Sequence, residues 1–199
     1  MLRIAYLVAL ASLLLTSVAR AQGPAVGMLL VARPSLEDPN FAESVLILVY
    51  HDSNGSLGIF LNRPTNLRPS RVFPDLEALA GYPDNVFLGG PLEPRQVLML
   101  LRAPAPGIVE GDPLVEDVYI TADAGVLAHY ESRLDAEHVR LYAGHAAWGP
   151  GQLQGEIDAG DWALLPGRAD IVFAADPLEL WHATATLHDG LIASRREPN

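Results

Sequence analysis

The chain has 199 residues, half of them hydrophobic, with 13 Arg, no Lys, 24 Asp plus Glu, no Cys and a net charge of −11. That length fits one compact domain, and 19% charged with 7% aromatic residues is a globular composition. Without Cys there is no disulfide framework, zinc ribbon, iron–sulfur cluster or thiol nucleophile; without Lys there is no Schiff-base chemistry and no P-loop lysine.

Arg3, an apolar run from Ile4 to Val18, and Ala19-Arg20-Ala21 before Gln22 have the order of a secretory signal, with cleavage expected after Ala21. The domain expected is then 22–199. An uncleaved anchor or a misassigned start ahead of a cytosolic protein is the alternative. The 15-residue run is shorter than the roughly 18 to 20 residues that span a bilayer. Cleavage removes Arg3 and Arg20 and no acid, which leaves 11 Arg against 24 acids, or −13, on 178 residues. Such a body repels phosphate, so direct nucleic-acid binding is disfavoured. Arg195-Arg196, beside Glu197, reads as a solvated tail.

In chain order, Gly27–Ala32 reads as a strand, and Asp38-Pro39 as a cap opening a single helical turn. Val45–Tyr50 is a continuous β-branched and aliphatic run, as in a strand covered on both faces. Asn54-Gly55 is a hairpin turn, returning along Ser56–Leu61. A short helix is predicted over Pro74–Ala80, with strands at Val86–Leu88, Val97–Leu101 and Val118–Thr121. Ala103–Pro113, rich in Pro and Gly, reads as a loop. Asp123 caps a helix running to about Arg133, and Val139–Ala143 is a strand that ends in a Gly-rich turn. A helix from Pro150 to about Ala159, strands at Trp162–Leu165 and Ile171–Ala174, and a closing helix from Pro177 under the Asp176–Glu179 capping box complete the chain. Hairpins in mixed order predict an α+β fold rather than a doubly wound parallel sheet.

Gly149-Pro150-Gly151 leads a strand into a helix, where free backbone N–H groups can hold an anion. The spacing of Gly149, Gly151 and Gly155 is one residue too long for a dinucleotide fingerprint, and Asp170 precedes a strand instead of ending one. The structural reading is a short helix packing Leu153 and Ile157. Gln152 and Glu156, four apart, share another face and can pair with each other or with a strand. Trp148 and Trp162 read as core or near-core residues. Asn62-Arg63-Pro64 and Gly89-Gly90-Pro91 stand at strand ends; Arg63 suits either a carboxylate or phosphate clamp or an ion pair with one of the acids. Gly55-Ser56-Leu57-Gly58 lacks the nucleophile-elbow spacing. The six histidines, His51, His129, His138, His145, His182 and His188, include no HExxH and no i, i+4 pair, so neither a metal site nor a cofactor is expected.

PSLEDPNFAESVLILVYH, the G-x-x-G-x-x-x-N-R-P string from Gly55 to Pro64, Gly89-Gly90-Pro91, and AAWGPGQLQGEI with Trp162 together resemble the AlgH/YqgE proteins of bacteria, from about Gly27 to Leu187. The resemblance implies a twisted, partly barrel-like mixed or antiparallel sheet flanked by short helices in a single domain. It also implies a cytosolic setting and no established enzymatic activity, some members being named transcriptional regulators. Asp38, Pro39, Asn62, Arg63, Pro64, Gly89, Gly90, Pro91, Trp148, Gly149, Gly151, Gln152 and Glu156 match the family's motif positions. Leu101 stands where the family often has a histidine, His145 where an aromatic is usual, and Gln154 where Glu is frequent; the leader is a further departure.

The reading that follows is an exported, non-enzymatic binding or interaction protein with a small ligand or a protein as partner. Its candidate cleft is formed by Asn62, Arg63, Gly89, Gly90, Pro91, Trp148, Gly149, Gly151, Gln152 and Glu156. The alternatives are a hydrolase using a carboxylate and a histidine, and a cytosolic transcriptional regulator.

Overall fold

The computed structural model describes residues 23–72, 74–75, 77–103, 111–130 and 134–187. The expected leader, Arg195-Arg196, His188 and most of the 103–113 loop lie outside them. Ten strands form one curled sheet: β1 (Met28–Ala32), β2 (Val45–Asp52), β3 (Gly55–Phe60), β4 (Pro64–Leu67), β5 (Val86–Leu88), β6 (Leu92–Arg102), β7 (Asp112–Val115), β8 (Val118–Thr121), β9 (Val139–Trp148) and β10 (Trp162–Pro166). The order is β10-β1-β2-β3-β9-β6-β8-β7. All of these neighbours are antiparallel; β5 runs parallel to β9 and carries β4 on its other side. The α+β half-barrel expected from the resemblance is the observed architecture, a single domain with a few short helices.

Strand composition explains the layering. On β2, Val45 and Ile47 enter the main core inside the curl, while Leu46 and Leu48 enter a second layer on the outer face. Burial on both faces is why β2 reads as an unbroken apolar run. The curl nearly closes where β1 begins: a Cβ on Gly27 would lie 2.4 Å from the Leu114 carbonyl oxygen on β7. Gly27 has φ +83°, so both its conformation and its crowding require glycine there.

The helices are α1 (Pro69–Val72), α2 (Gln152–Ala159), α3 (Ala169–Val172) and α4, over 180–187. Several expectations change. Ile171–Ala174 is not a strand: the segment forms α3 because Glu116, at the β7–β8 turn, accepts the Ala169 N–H through Oε2 at 2.9 Å. Among the described residues of 74–80, Glu77–Leu79 form one 3₁₀ turn and no α-helix. The Asp123-capped segment is likewise 3₁₀, over Ala124–Tyr130. β9 does not end at Ala143; Gly144, at φ +74°, kinks it and pairing continues to Trp148. β6 starts at Leu92 instead of Val97, and β4 and β7 are additional strands, β7 lying at the end of the predicted loop. Asp176 Oδ1 accepts the N–H groups of Leu178 and Glu179 as a cap should, but regular α-helix begins at residue 180. Among the described residues no helix is long and apolar enough to cross a membrane.

Candidate functional site

Residues 38–44, between β1 and β2, turn once without forming a helix. Asp38 Oδ1 accepts the Asn40 backbone N–H, and the Ala42 N–H reaches the Asp38 carbonyl. Asn62 and Arg63, just after β3, fasten this loop. The buried Asn62 accepts the Val45 N–H at 3.0 Å and donates to the Glu43 carbonyl at 2.9 Å. Arg63 donates to the Ala42 carbonyl at 2.6 Å, with its guanidinium carbon 5.8 Å from the centre of the Phe60 ring. Among the described residues no acid forms an ion pair with Arg63. Glu43 is held at φ +54°, a left-handed conformation that costs a glutamate of order 1 kcal/mol.

Phe41 carries the loop into the outer layer, where its ring lies 5.5 Å from Phe60, 6.1 Å from Trp148 and 5.8 Å from Trp162. Both tryptophans are 4% exposed, as expected of core residues. Their indole N–H groups donate to one oxygen, Glu156 Oε2, at 2.8 and 2.9 Å. Gln152 donates to the other oxygen at 2.9 Å and accepts the Gly149 N–H at 3.0 Å. Gly151, at φ +72°, caps α2 and lets the chain turn so that these side chains meet.

The Asn62-Arg63 and Trp148–Glu156 segments thus meet through Phe41, which sequence reasoning misses because a single Phe in a polar loop carries no periodic signal. Gly89 and Gly90 occupy the crevice where β3 and β5 share one edge of β9. Gly89 accepts the Phe60 N–H and donates to Ala143. A Cβ on Gly90 would lie 2.0 Å from the His145 carbonyl carbon, so close approach of backbones fixes this glycine pair. Pro91, exposed, follows at the surface.

A cleft of about 520 Å³ opens elsewhere, at the end of the curl; among the motif residues Pro64 borders it. Its floor holds Arg140, 3% exposed, on β9. The guanidinium lies between the rings of Phe87 and Phe173, at 5.3 and 5.5 Å, and donates to the carbonyls of Val172 and Ala174. Among the described residues its Nε has no hydrogen-bond partner, and the hydroxyl of the fully buried Tyr142 lies against the Arg140 side chain. Burial pushes Tyr142 up to about 12, against a downward pull from Arg140. The sequence does contain a signal for this pair: Arg140 and Tyr142 alternate with apolar Val139 and Leu141, so the polar ends share the core-facing side of a strand.

Among the described residues no histidine is hydrogen-bonded to both an acid and a hydroxyl. His51 Nδ1 lies 2.7 Å from Ser56 Oγ, but Ser56 is 3% exposed and, among the described residues, no acid completes a relay. His145 borders a separate groove of about 510 Å³ with Glu93, and the His182 ring packs 4.9 Å from Trp181. Leu101, at the position where the family often carries histidine, is fully buried in apolar surroundings. Among the described residues no group of three His, Asp or Glu is placed to hold a metal ion.

Comparison with known proteins agrees with this architecture. The family model described as DUF179, AlgH-like, matches residues 29–193. A UPF0301 protein of Streptomyces avermitilis is 38% identical over 163 residues, covering 78% of this chain and 82% of that one. A UPF0301 protein of Mycobacterium avium is 36% identical over 168 residues, 81% of each chain. A crystal structure from Corynebacterium diphtheriae has a TM-score of 0.71 at 28% identity, covering 89% of both chains. The solution structure of the AlgH protein from Pseudomonas aeruginosa has a TM-score of 0.67 at 24% identity, covering 89% of this chain and 97% of that one, a likeness of fold. The chain belongs to the AlgH-like family, whose UPF0301 members are uncharacterised.

Proposed function

We propose that the chain is an exported binding protein without a chemical step of its own, and that the motif residues shape its binding face around the 38–44 loop. One observation carries the reading: side chains far apart in sequence are spent on holding an exposed loop in one conformation. Asn62 and Arg63 grip its backbone, Phe41 anchors it, and Glu156 ties together the two indoles on which Phe41 rests. Loops held rigid by a scaffold are where sheet proteins place recognition. Glu37, Asp38 and Glu43 are exposed along this loop, which gives the face an acidic character suited to a basic or hydrogen-bond-donating partner.

Export rests on the pattern of residues 1–21, and the family match begins only at residue 29. The experiment is to recover the protein from its own cell, sequence its N-terminus, and place a photo-crosslinking residue at the exposed Glu37. Gln22 as first residue, with a discrete crosslinked adduct that Asn62→Ala abolishes, is the expected result. Met1 retained in the cytosol, or no adduct, would overturn it.

A further inference from the structure

We propose that the groove bordered by His145 and Glu93 is a binding site for a small organic ammonium ion with an apolar body. The body rests on Val49, Leu57, Leu98 and Ile120, and the charge faces Glu93 and Asp112. The groove lies toward the far end of β2 from the 38–44 loop, so this site fails independently of the face proposed above.

The floor is the open end of the core. Ile47, Ile59, Leu100 and Ile120 pack inside the curl, and the next residues on the same strand faces, Val49, Leu57 and Leu98, are only partly buried. Six strands, β2, β3, β6, β7, β8 and β9, contribute lining residues to a groove of about 510 Å³. A concave site of that size at the mouth of a curled sheet is where small ligands bind. The sheet is irregular at this place. Register shifts occur on β2 between Leu48 and Tyr50, on β6 between Leu92 and Val97, and on β7 between Pro113 and Val115, and all three strands line the groove. The first brings Val49 and Tyr50 together opposite Leu57; in the second, residues 93–96 leave the ladder and carry Glu93, at φ +48°, and Gln96 to the rim. Bulges of this kind re-aim side chains beside binding sites.

The rim sets the sign of the ligand. Glu93 and Asp112 are exposed, and among the described residues neither forms an ion pair. Among those residues no arginine lines the groove, and the chain has no lysine. The exposed Tyr50 has its hydroxyl engaged by Asp52 and adds an aromatic ring to the lining. An anion is repelled by both rim carboxylates, and a hydrated inorganic cation gains nothing from the apolar floor. An ammonium group on an apolar body matches floor and rim together. Two exposed carboxylates contribute about five- to tenfold in affinity, and apolar contact supplies the rest.

The test is an NMR titration of the ¹⁵N-labelled protein with four probes: 2-phenylethylammonium, 2-phenylethanol, 3-phenylpropanoate and ethylammonium. The expected result is a saturable shift of the Leu57, Leu98 and His145 backbone amides with 2-phenylethylammonium, binding about five- to tenfold weaker for 2-phenylethanol, and none for the other two. Glu93→Gln with Asp112→Asn, both at exposed positions, brings the ammonium down to the affinity of the alcohol. Asp75→Asn with Glu77→Gln changes the net charge equally at exposed positions outside the groove and leaves the affinity unaltered. Amides that move with none of the probes, equal affinity for the ammonium and the alcohol, a response to 3-phenylpropanoate, or an equal loss in both double variants would each overturn the proposal.

Discussion

Glu156 sits at the junction of a directional hydrogen-bond chain, and that direction can be tested by reversing it. Both indole N–H groups donate to Oε2, Gln152 donates to Oε1, and Gln152 in turn accepts the Gly149 N–H. In Glu156→Gln the new amide oxygen still accepts the two indoles, but its NH₂ then meets the NH₂ of Gln152. If Gln152 flips, its NH₂ meets the Gly149 N–H instead. One hydrogen bond is lost in either arrangement, together with the charge of the acceptor, a cost of about 1–2 kcal/mol. Glu156→Ala orphans both indole donors in residues only 4% exposed, and about 3 kcal/mol is expected.

The informative variant is the exchange Glu156→Gln with Gln152→Glu. The new carboxylate at position 152 accepts both the Gly149 N–H and the amide introduced at position 156, whose oxygen keeps the indoles, so every bond is restored in the opposite sense. Gln152→Glu alone sets two carboxylates four residues apart and is destabilising, although a negative charge in the first turn of α2 offsets a few tenths of a kcal/mol. The double variant is therefore more stable than the sum of the singles by about 1–2 kcal/mol, a coupling readable in a double-mutant cycle from urea unfolding. In a domain of this size Glu156→Gln lowers Tm by about 3–6 °C. A neutral Glu156→Gln, or losses that simply add in the double variant, would show that Glu156 does not organise the tryptophan pair.

Three other outcomes follow from the same geometry. Gly90→Ala drives a Cβ into the β9 backbone and leaves little soluble folded protein, measured by expression and circular dichroism, whereas Gly155→Ala, with open space on the α2 surface, raises stability by about 0.5–1 kcal/mol. Asn62→Ala orphans the Val45 N–H, buried at 0% exposure, and costs about 2 kcal/mol, with amide exchange faster across residues 41–45 and unchanged in β1. Tyr142 has a folded-state pKa of about 12 against an ordinary 10.0, so the unfolded chain loses this proton first. Its contribution is intact below about pH 10 and is lost as pH rises toward 12; Tyr142→Phe flattens the alkaline fall in urea midpoint, and an unchanged slope would refute the burial argument.

What the sequence shows and what it hides divide along a physical line. β2 and the Asn54-Gly55 hairpin are legible because both are local: a doubly covered strand is apolar throughout, and the turn needs its glycine. α3 is not, because Ile171 and Val172 favour strands and the group that opens the helix, Glu116, is 53 residues away in sequence. The first half of β6 looks like a loop since Leu92 to Gln96 are exposed and include Pro94, and only the kinked continuation of β9, through the Leu92–His145 pairing, gives it a partner. Local propensity is overridden in each case by a distant contact.

The same division runs through the candidate site. The motif residues stand out because glycines and prolines at strand ends have few structural synonyms, and the contacts of Gly90 show the backbone approach that makes them so. Arg140 does not stand out, since an arginine on a strand usually marks the solvent face. Here the rings of Phe87 and Phe173 cover the guanidinium, and the carbonyls of Val172, the last residue of α3, and of Ala174 just beyond it hold it. The charge is therefore buried by elements that converge from residues 87, 140 and 172–174, and no window of sequence contains all three. An arginine whose strand neighbours in both directions are fully buried, Val139 and Leu141, can be outward only if the sheet is bare on one side. In a sheet as apolar on both faces as this one, that position is already an argument for a buried cation, and a buried cation requires something to neutralise it.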